Sequence, residues 1–230
     1  MHVYYDESRE YDNVRPHPYQ PNMEEAAQAG FVDFKAKPEQ IALVLEDFRP
    51  YDSEAAIQSF YDLLRWLNGP DCELESVDCA FRAPHPNNST STSPHAYQAD
   101  GRLCLMFRHQ PANCHAASFD WLLNRLAGEL QHLDADLGST EAVIGFSTAA
   151  AIFTEISKTG VRLPDGLFEA DDDDPAHGKQ VMLWFWCWAD DQAAVYANLD
   201  RVFRNIWQAC RSTSRAITQG NNDARAGRAQ

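Results

Sequence analysis

The segment Val143-Ile144-Gly145-Phe146-Ser147-Thr148-Ala149-Ala150 sets a serine between an apolar stretch and an alanine-rich one, in the pattern Gly-x-Ser-x-Ala. A nucleophile elbow has this layout: a strand turns sharply into a helix, the serine stands at the turn, and small residues on either side let backbone N–H groups face a developing oxyanion. The order of partners in that geometry is serine, acid, histidine, and His177 is the one histidine after Ser147. The acids available to it are Asp165 and Asp171, Asp172, Asp173 and Asp174, all within a dozen residues of the histidine. Such crowding leaves no room for intervening strands and helices, so the simpler expectation is that Ser147 caps a short helix over 148–156. A small serine hydrolase using Ser147 and His177 is the alternative reading, and no catalytic residue is assigned in the leading one.

Two patterns have some of the rhythm of a metal site. His109-x4-Cys114-His115 offers borderline and soft ligands, but zinc sites use closer pairs and a second distant pair that this chain lacks. Asp134-x-Asp136-x-Gly138 with Glu141 has carboxylates at calcium-loop intervals, yet the glycine falls one place early and the glutamate at position twelve is missing. No metal is expected. No P-loop, GxGxxG or basic patch is present, so no cofactor and no nucleic acid are expected either.

The elements that must position these residues are read from periodicity. Ile41-Ala42-Leu43-Val44-Leu45 is a short apolar run that reads as a buried strand, followed by a helix with Ile57, Phe60, Tyr61, Leu64 and Leu67 on one face, capped by Asp52 or Ser53 and stopped at Gly69-Pro70. Strands are expected over 72–82 and 102–108, joined by seventeen residues, 83–99, whose composition favours disorder and which carry His85 and His95 near their ends. A helix with Phe119, Leu122, Leu123, Leu126, Leu130 and Leu133 follows, then a strand over 142–146. Residues 181–188, Val-Met-Leu-Trp-Phe-Trp-Cys-Trp, read as a strand apolar on both faces, with Met182, Trp184, Trp186 and Trp188 on one side, either buried as a central strand or leaving part of the tryptophan ladder exposed as a binding surface. The last helix is capped by Asp190 or Asp191 and carries Val195, Leu199, Val202, Phe203, Ile206 and Cys210.

This order predicts an α+β (or α/β) fold in a single domain: a mixed β-sheet of about five strands packed by amphipathic helices, suited to a ferredoxin-like split βαβ core with a C-terminal βα extension. The domain is expected over 23–214. Residues 1–22, with Tyr4, Tyr5, Tyr11 and Tyr19 among Pro16, Pro18 and Pro21, read as a flexible arm, and 215–230 as a disordered tail.

Charge is the broadest functional signal. The chain carries 34 acids against 19 bases, a formal charge of -15. Residues 23–210 hold 29 of those acids and 13 of the bases, or -16. A field of that sign repels nucleic acid and anionic lipid and favours cationic partners. The N-terminal residues are too polar for a secretory leader, no apolar run approaches the roughly 18 residues that span a bilayer, and six cysteines without a CxxC pair suit reduced, buried thiols. The localisation expected is cytoplasmic. The function expected is that of a non-enzymatic, acidic, immunity- or antitoxin-like inhibitor that neutralises a basic protein partner such as a toxin. The residues expected to meet it are Asp171, Asp172, Asp173, Asp174, Asp190 and Asp191.

Overall fold

A strand that is apolar on both sides can bury both only in the interior of a sheet. In the computed structural model, which describes residues 1–17, 32–44, 54–88, 93–133, 136–153, 161–163, 166–168 and 176–226, the aromatic run takes that place. The strands are β1 (His2–His17), β2 (Leu74–Pro86), β3 (Tyr97–Phe107), β4 (Ala142–Phe153), β5 (Val161–Leu163), β6 (Gly166–Phe168) and β7 (Ala176–Ala189). Five of them form one sheet in the order β1-β4-β7-β3-β2, and β5 and β6 pair separately. The sheet is mixed: β1 runs parallel to β4, and the other neighbours are antiparallel.

The helices are α1 (Ile41–Val44), α2 (Ala55–Asn68), α3 (Ala116–Gln131) and α4 (Gln192–Ala226). α2, α3 and α4 pack on one face of the sheet, where Val181, Leu183, Phe185 and Cys187 of β7 join Phe60, Leu64, Leu126, Leu199 and Phe203 in the main core. Phe185 meets Phe203 edge-on, with ring centroids 5.1 Å apart and planes at 84°. Polar side chains fix the elements locally. Arg108 donates to the carbonyls of Leu67, Gly69 and Cys72, binding the C-terminal end of α2, and Ser59 donates to Asp200 at 2.6 Å, tying α2 to α4. The result is a single α+β domain with a five-stranded mixed sheet, as the sequence leads one to expect.

Several elements differ from the expected ones. The first strand is not Ile41–Val44, which is helical: Pro38 opens a 3-10 turn at Pro38–Gln40 that leads directly into α1. An apolar run this short has no period that separates strand from helix. The first strand is β1, so the N-terminal arm expected to be flexible is, over His2–His17, an edge strand. Edge strands need only one ladder of hydrogen bonds and tolerate the charges and the Pro16 that argue against a strand here. At the other end α4 continues to Ala226, well into the expected tail. The helix expected over 148–156 is instead the second half of β4, where Thr148, Ala149, Ala150 and Ala151 pair with Val181, Gln180, Lys179 and Gly178. Pairing with the central strand outweighs the helical preference of alanine. The split βαβ arrangement differs too, since β7 lies between β4 and β3 and β1 sits at the edge beside β4. The hairpin of β2 and β3 extends past its expected ends, shortening the connection to 87–96, and Asn87 closes it by donating to the carbonyls of Ser93 and His95. Asp52 and Ser53 lie outside the described residues, and the N-cap position of α2 is Glu54, which makes no side-chain cap bond.

The two faces of β7 are unequally covered. Phe185 is fully buried, whereas Trp184 and Trp186 on the opposite face are half-buried. Phe185→Ala should therefore cost about 3–5 kcal/mol in denaturant unfolding, while Trp186→Ala costs no more than about 2.

Candidate functional site

On the face away from the helices, β4 presents Gly145, Ser147, Ala149 and Ala151, and β7 presents Met182, Trp184, Trp186 and Trp188. Ser147 sits in mid-strand, opposite Met182 and 2% exposed. Its hydroxyl accepts the indole N–H of Trp184 at 3.1 Å. The chain does not turn into a helix after it, so the elbow that would expose the serine and form an oxyanion hole is not built. His177 lies opposite Ile152, five residues along the ladder from Met182, which at about 3.3 Å per residue separates it from Ser147 by about 16 Å. The hydrolase pair is thus not brought together. Asp165 lies outside the described residues.

The small residues of the Gly-x-Ser-x-Ala pattern have a different use. The Tyr4 ring of β1 lies over Gly145, so closely that a Cβ there would stand 2.6 Å from its Cζ. Ser147 holds the neighbouring indole, while Ala149 and Ala151 pack with Cys104, Met106, Phe153 and Met182 in a second small core. Alternate small residues on one face of a strand make a trough for large neighbours.

The expected partner-binding acids fare unequally. Asp171, Asp172, Asp173 and Asp174 lie outside the described residues. Asp190 and Asp191 follow β7 directly and are exposed. Asp190 contacts His95 Nδ1 at 3.0 Å with 79% of its side chain exposed, and Asp191 caps α4 by accepting the Ala194 N–H at 2.8 Å.

The tryptophan ladder, which the sequence offers either as core or as a binding surface, has charged neighbours that the sequence reading missed. Trp184 and Trp186 stack with centroids 6.4 Å apart and planes at 19°. Tyr4, in register with Gly145, extends the aromatic row across β4, and His2 stacks on it at 5.9 Å. On the other side of β7 come two charged pairs. Arg102, opposite Trp184, places its guanidinium 6.0 Å from that ring centroid and donates from Nε to Asp78 at 2.9 Å. Asp100, opposite Trp186, accepts from Arg82 at 2.7 Å. The signal was present in β2 and β3, where Asp78, Arg82, Asp100 and Arg102 occupy alternate positions that a strand turns to one side.

The metal-like patterns are not assembled. Among the described residues no three His, Cys, Asp or Glu side chains come together as a metal site. His109 is exposed, the His115 ring contacts Ser118, and the Glu141 carboxylate accepts the Gly138 N–H, closing a turn; Asp134 lies outside the described residues. All six cysteines are free. Burial pushes the thiols of Cys72 and Cys114 up to about 11 and Cys79 to about 12, and raises Cys187 and Cys210 as well. No family model, curated protein or solved structure matches this chain.

Two outcomes follow from this geometry. Ser147→Ala removes the acceptor of the Trp184 indole and should lower stability by about 0.5–1.5 kcal/mol with a shift in tryptophan emission, and the native protein should leave a fluorophosphonate probe unreacted. Folding also favours the protonated thiols, so their contribution is full below the ordinary thiol value of 9.0 and declines as pH rises past it. Iodoacetamide at pH 8 should therefore modify the folded protein slowly and the unfolded protein, with ordinary thiols, rapidly, as mass spectrometry would count.

Proposed function

We propose that this chain is a non-enzymatic binding protein that captures and neutralises a basic protein, as an immunity protein or antitoxin shields a cationic toxin. The observation that carries the reading is the state of its charges. Fifteen more acids than bases are present. Several of the cations are already matched within the chain: Lys35 pairs with Glu75, Arg65 with Asp62, Arg82 with Asp100, Arg102 with Asp78, Arg125 with Glu129 and Arg204 with Asp200, while Arg108 is engaged with backbone carbonyls. Glu39, Asp71, Asp120, Asp136, Asp190 and Asp191 are exposed on several elements. An excess of carboxylates over internal cations leaves a field that is completed by an external polycation.

The compartment proposed is the cytoplasm, where six free thiols remain reduced. Among the described residues no helix is long and apolar enough to cross a membrane. Asp171, Asp172, Asp173 and Asp174 add the densest acid of the sequence to this field and, with Asp190 and Asp191, are proposed to meet the partner.

Tagged protein purified from its native host at about 0.1 M salt should retain a basic protein and release it as salt rises towards about 1 M, since exposed pairs are screened on that scale. Retention of an acidic protein, or retention indifferent to salt, would overturn the reading.

A further inference from the structure

We propose that the middle of the indole face is where the basic partner docks, with one of its arginine or lysine side chains laid on Trp186 beside Asp100. This rests on the reading that the chain binds a basic protein, and it names the place.

The face is bounded at both ends. At one, the Ser93 hydroxyl, just before β3, donates to the Thr140 carbonyl, just before β4, at the end of β7 where Trp188 is only 4% exposed. At the other, the 3-10 turn Gln110–Cys114 lies against β7, its Asn113 carbonyl so near Gly178 that a Cβ there would stand 2.8 Å away, and Met182 is buried. Between these covers Trp184 and Trp186 are half-buried, and no described helix lies over them.

The occupant is argued from what one indole already holds. Trp184 has a guanidinium over its ring, that of Arg102, and a carboxylate from the next strand, Asp78, fixes that guanidinium. At Trp186, one step along the strand, the order of charges is reversed and no guanidinium of the described residues lies over the ring. Its neighbour across the ladder is Asp100, a carboxylate. Arg82, the cation beside it, is 62% exposed and donates to Asp100. Arg82 and Gln98 donate to Asp100 Oδ2, and His85 lies 3.7 Å from the same oxygen; Oδ1 accepts nothing from the described residues. A half-buried indole next to a carboxylate oxygen with capacity to accept is a receptor for a cationic side chain, by attraction to the ring face and by a charge-assisted hydrogen bond. In a chain of charge -15 the complementary occupant is a basic protein.

The test titrates a deca-arginine peptide into the full chain and follows tryptophan emission and heat. Saturable binding is expected, weakened about tenfold in Trp186→Leu and similarly in Asp100→Asn. Asp120→Asn, an equal change of charge at an exposed site on helix α3, should alter the affinity less than about twofold. If the two asparagine variants weaken binding equally, the peptide reads net charge alone and the docking face is overturned while the charge reading stands. If the peptide fails to bind the unmodified chain, both fall. If the unmodified chain is a dimer that Trp186→Leu converts to a monomer, the face belongs to a second copy and the proposal is overturned. Circular dichroism confirms that each variant is folded, and Asp100→Asn carries the test should Trp186→Leu unfold.

Discussion

The pairing of β7 with β4 on one side and β3 on the other joins two ladders that otherwise have no connection, β1 with β4 and β3 with β2. A two-stranded ladder is marginally stable in water. The last strand to leave the ribosome therefore completes the sheet, and the helix that follows it, α4, closes the core over the same strand. This explains the composition of 181–188. A strand with neighbours on both edges and a helical layer above it must supply apolar side chains to the core, and Val181, Leu183, Phe185 and Cys187 are buried there without exception.

The other face of the same strand is under a weaker demand, because the helical layer packs against the opposite side. Covers at the two ends of β7 bury Trp188 and Met182, and the middle is left to large side chains that pack side by side. Three of them meet something small or complementary: Gly145 for Tyr4, the Ser147 hydroxyl for Trp184, Asp78 for the Arg102 guanidinium. The pattern that suggests a nucleophile elbow is thus a consequence of packing aromatic rings on a sheet. Glycine, serine and alanine at alternate positions meet the steric requirement of both, and a single sequence does not separate them until the next element is known to be strand or helix.

What was legible follows from that distinction. α2, α3, α4, the aromatic strand and the β2–β3 pair were readable because each has a strong period or a double-sided apolar run. β1 was not, since one edge of it meets solvent and its residues carry charge and proline that an interior strand excludes. Ile41–Val44 and the second half of β4 were misread for a related reason: short runs of apolar or small residues take their conformation from the partner they find, through tertiary pairing. The charged part of the site was encoded as alternation, Asp100 and Arg102 on one side of β3, and it is hidden by Leu103, Cys104 and Leu105 continuing the strand on both faces.

Charge and the aromatic face contribute differently to recognition. A field from fifteen surplus acids acts on any polycation, and at physiological salt it is screened beyond about 8 Å, so it raises encounter rates without telling one basic protein from another. Discrimination needs contacts that form after water is expelled, and those govern how long a complex lasts. An exposed ion pair between two proteins contributes little by itself. The stacked indoles have few rotatable bonds, are already half-desolvated, and are held by Ser147 and by their strand neighbours, so less ordering is required when a partner arrives. On the proposed reading the acids would set that a basic protein approaches, and the preordered face on β7 would set which one remains.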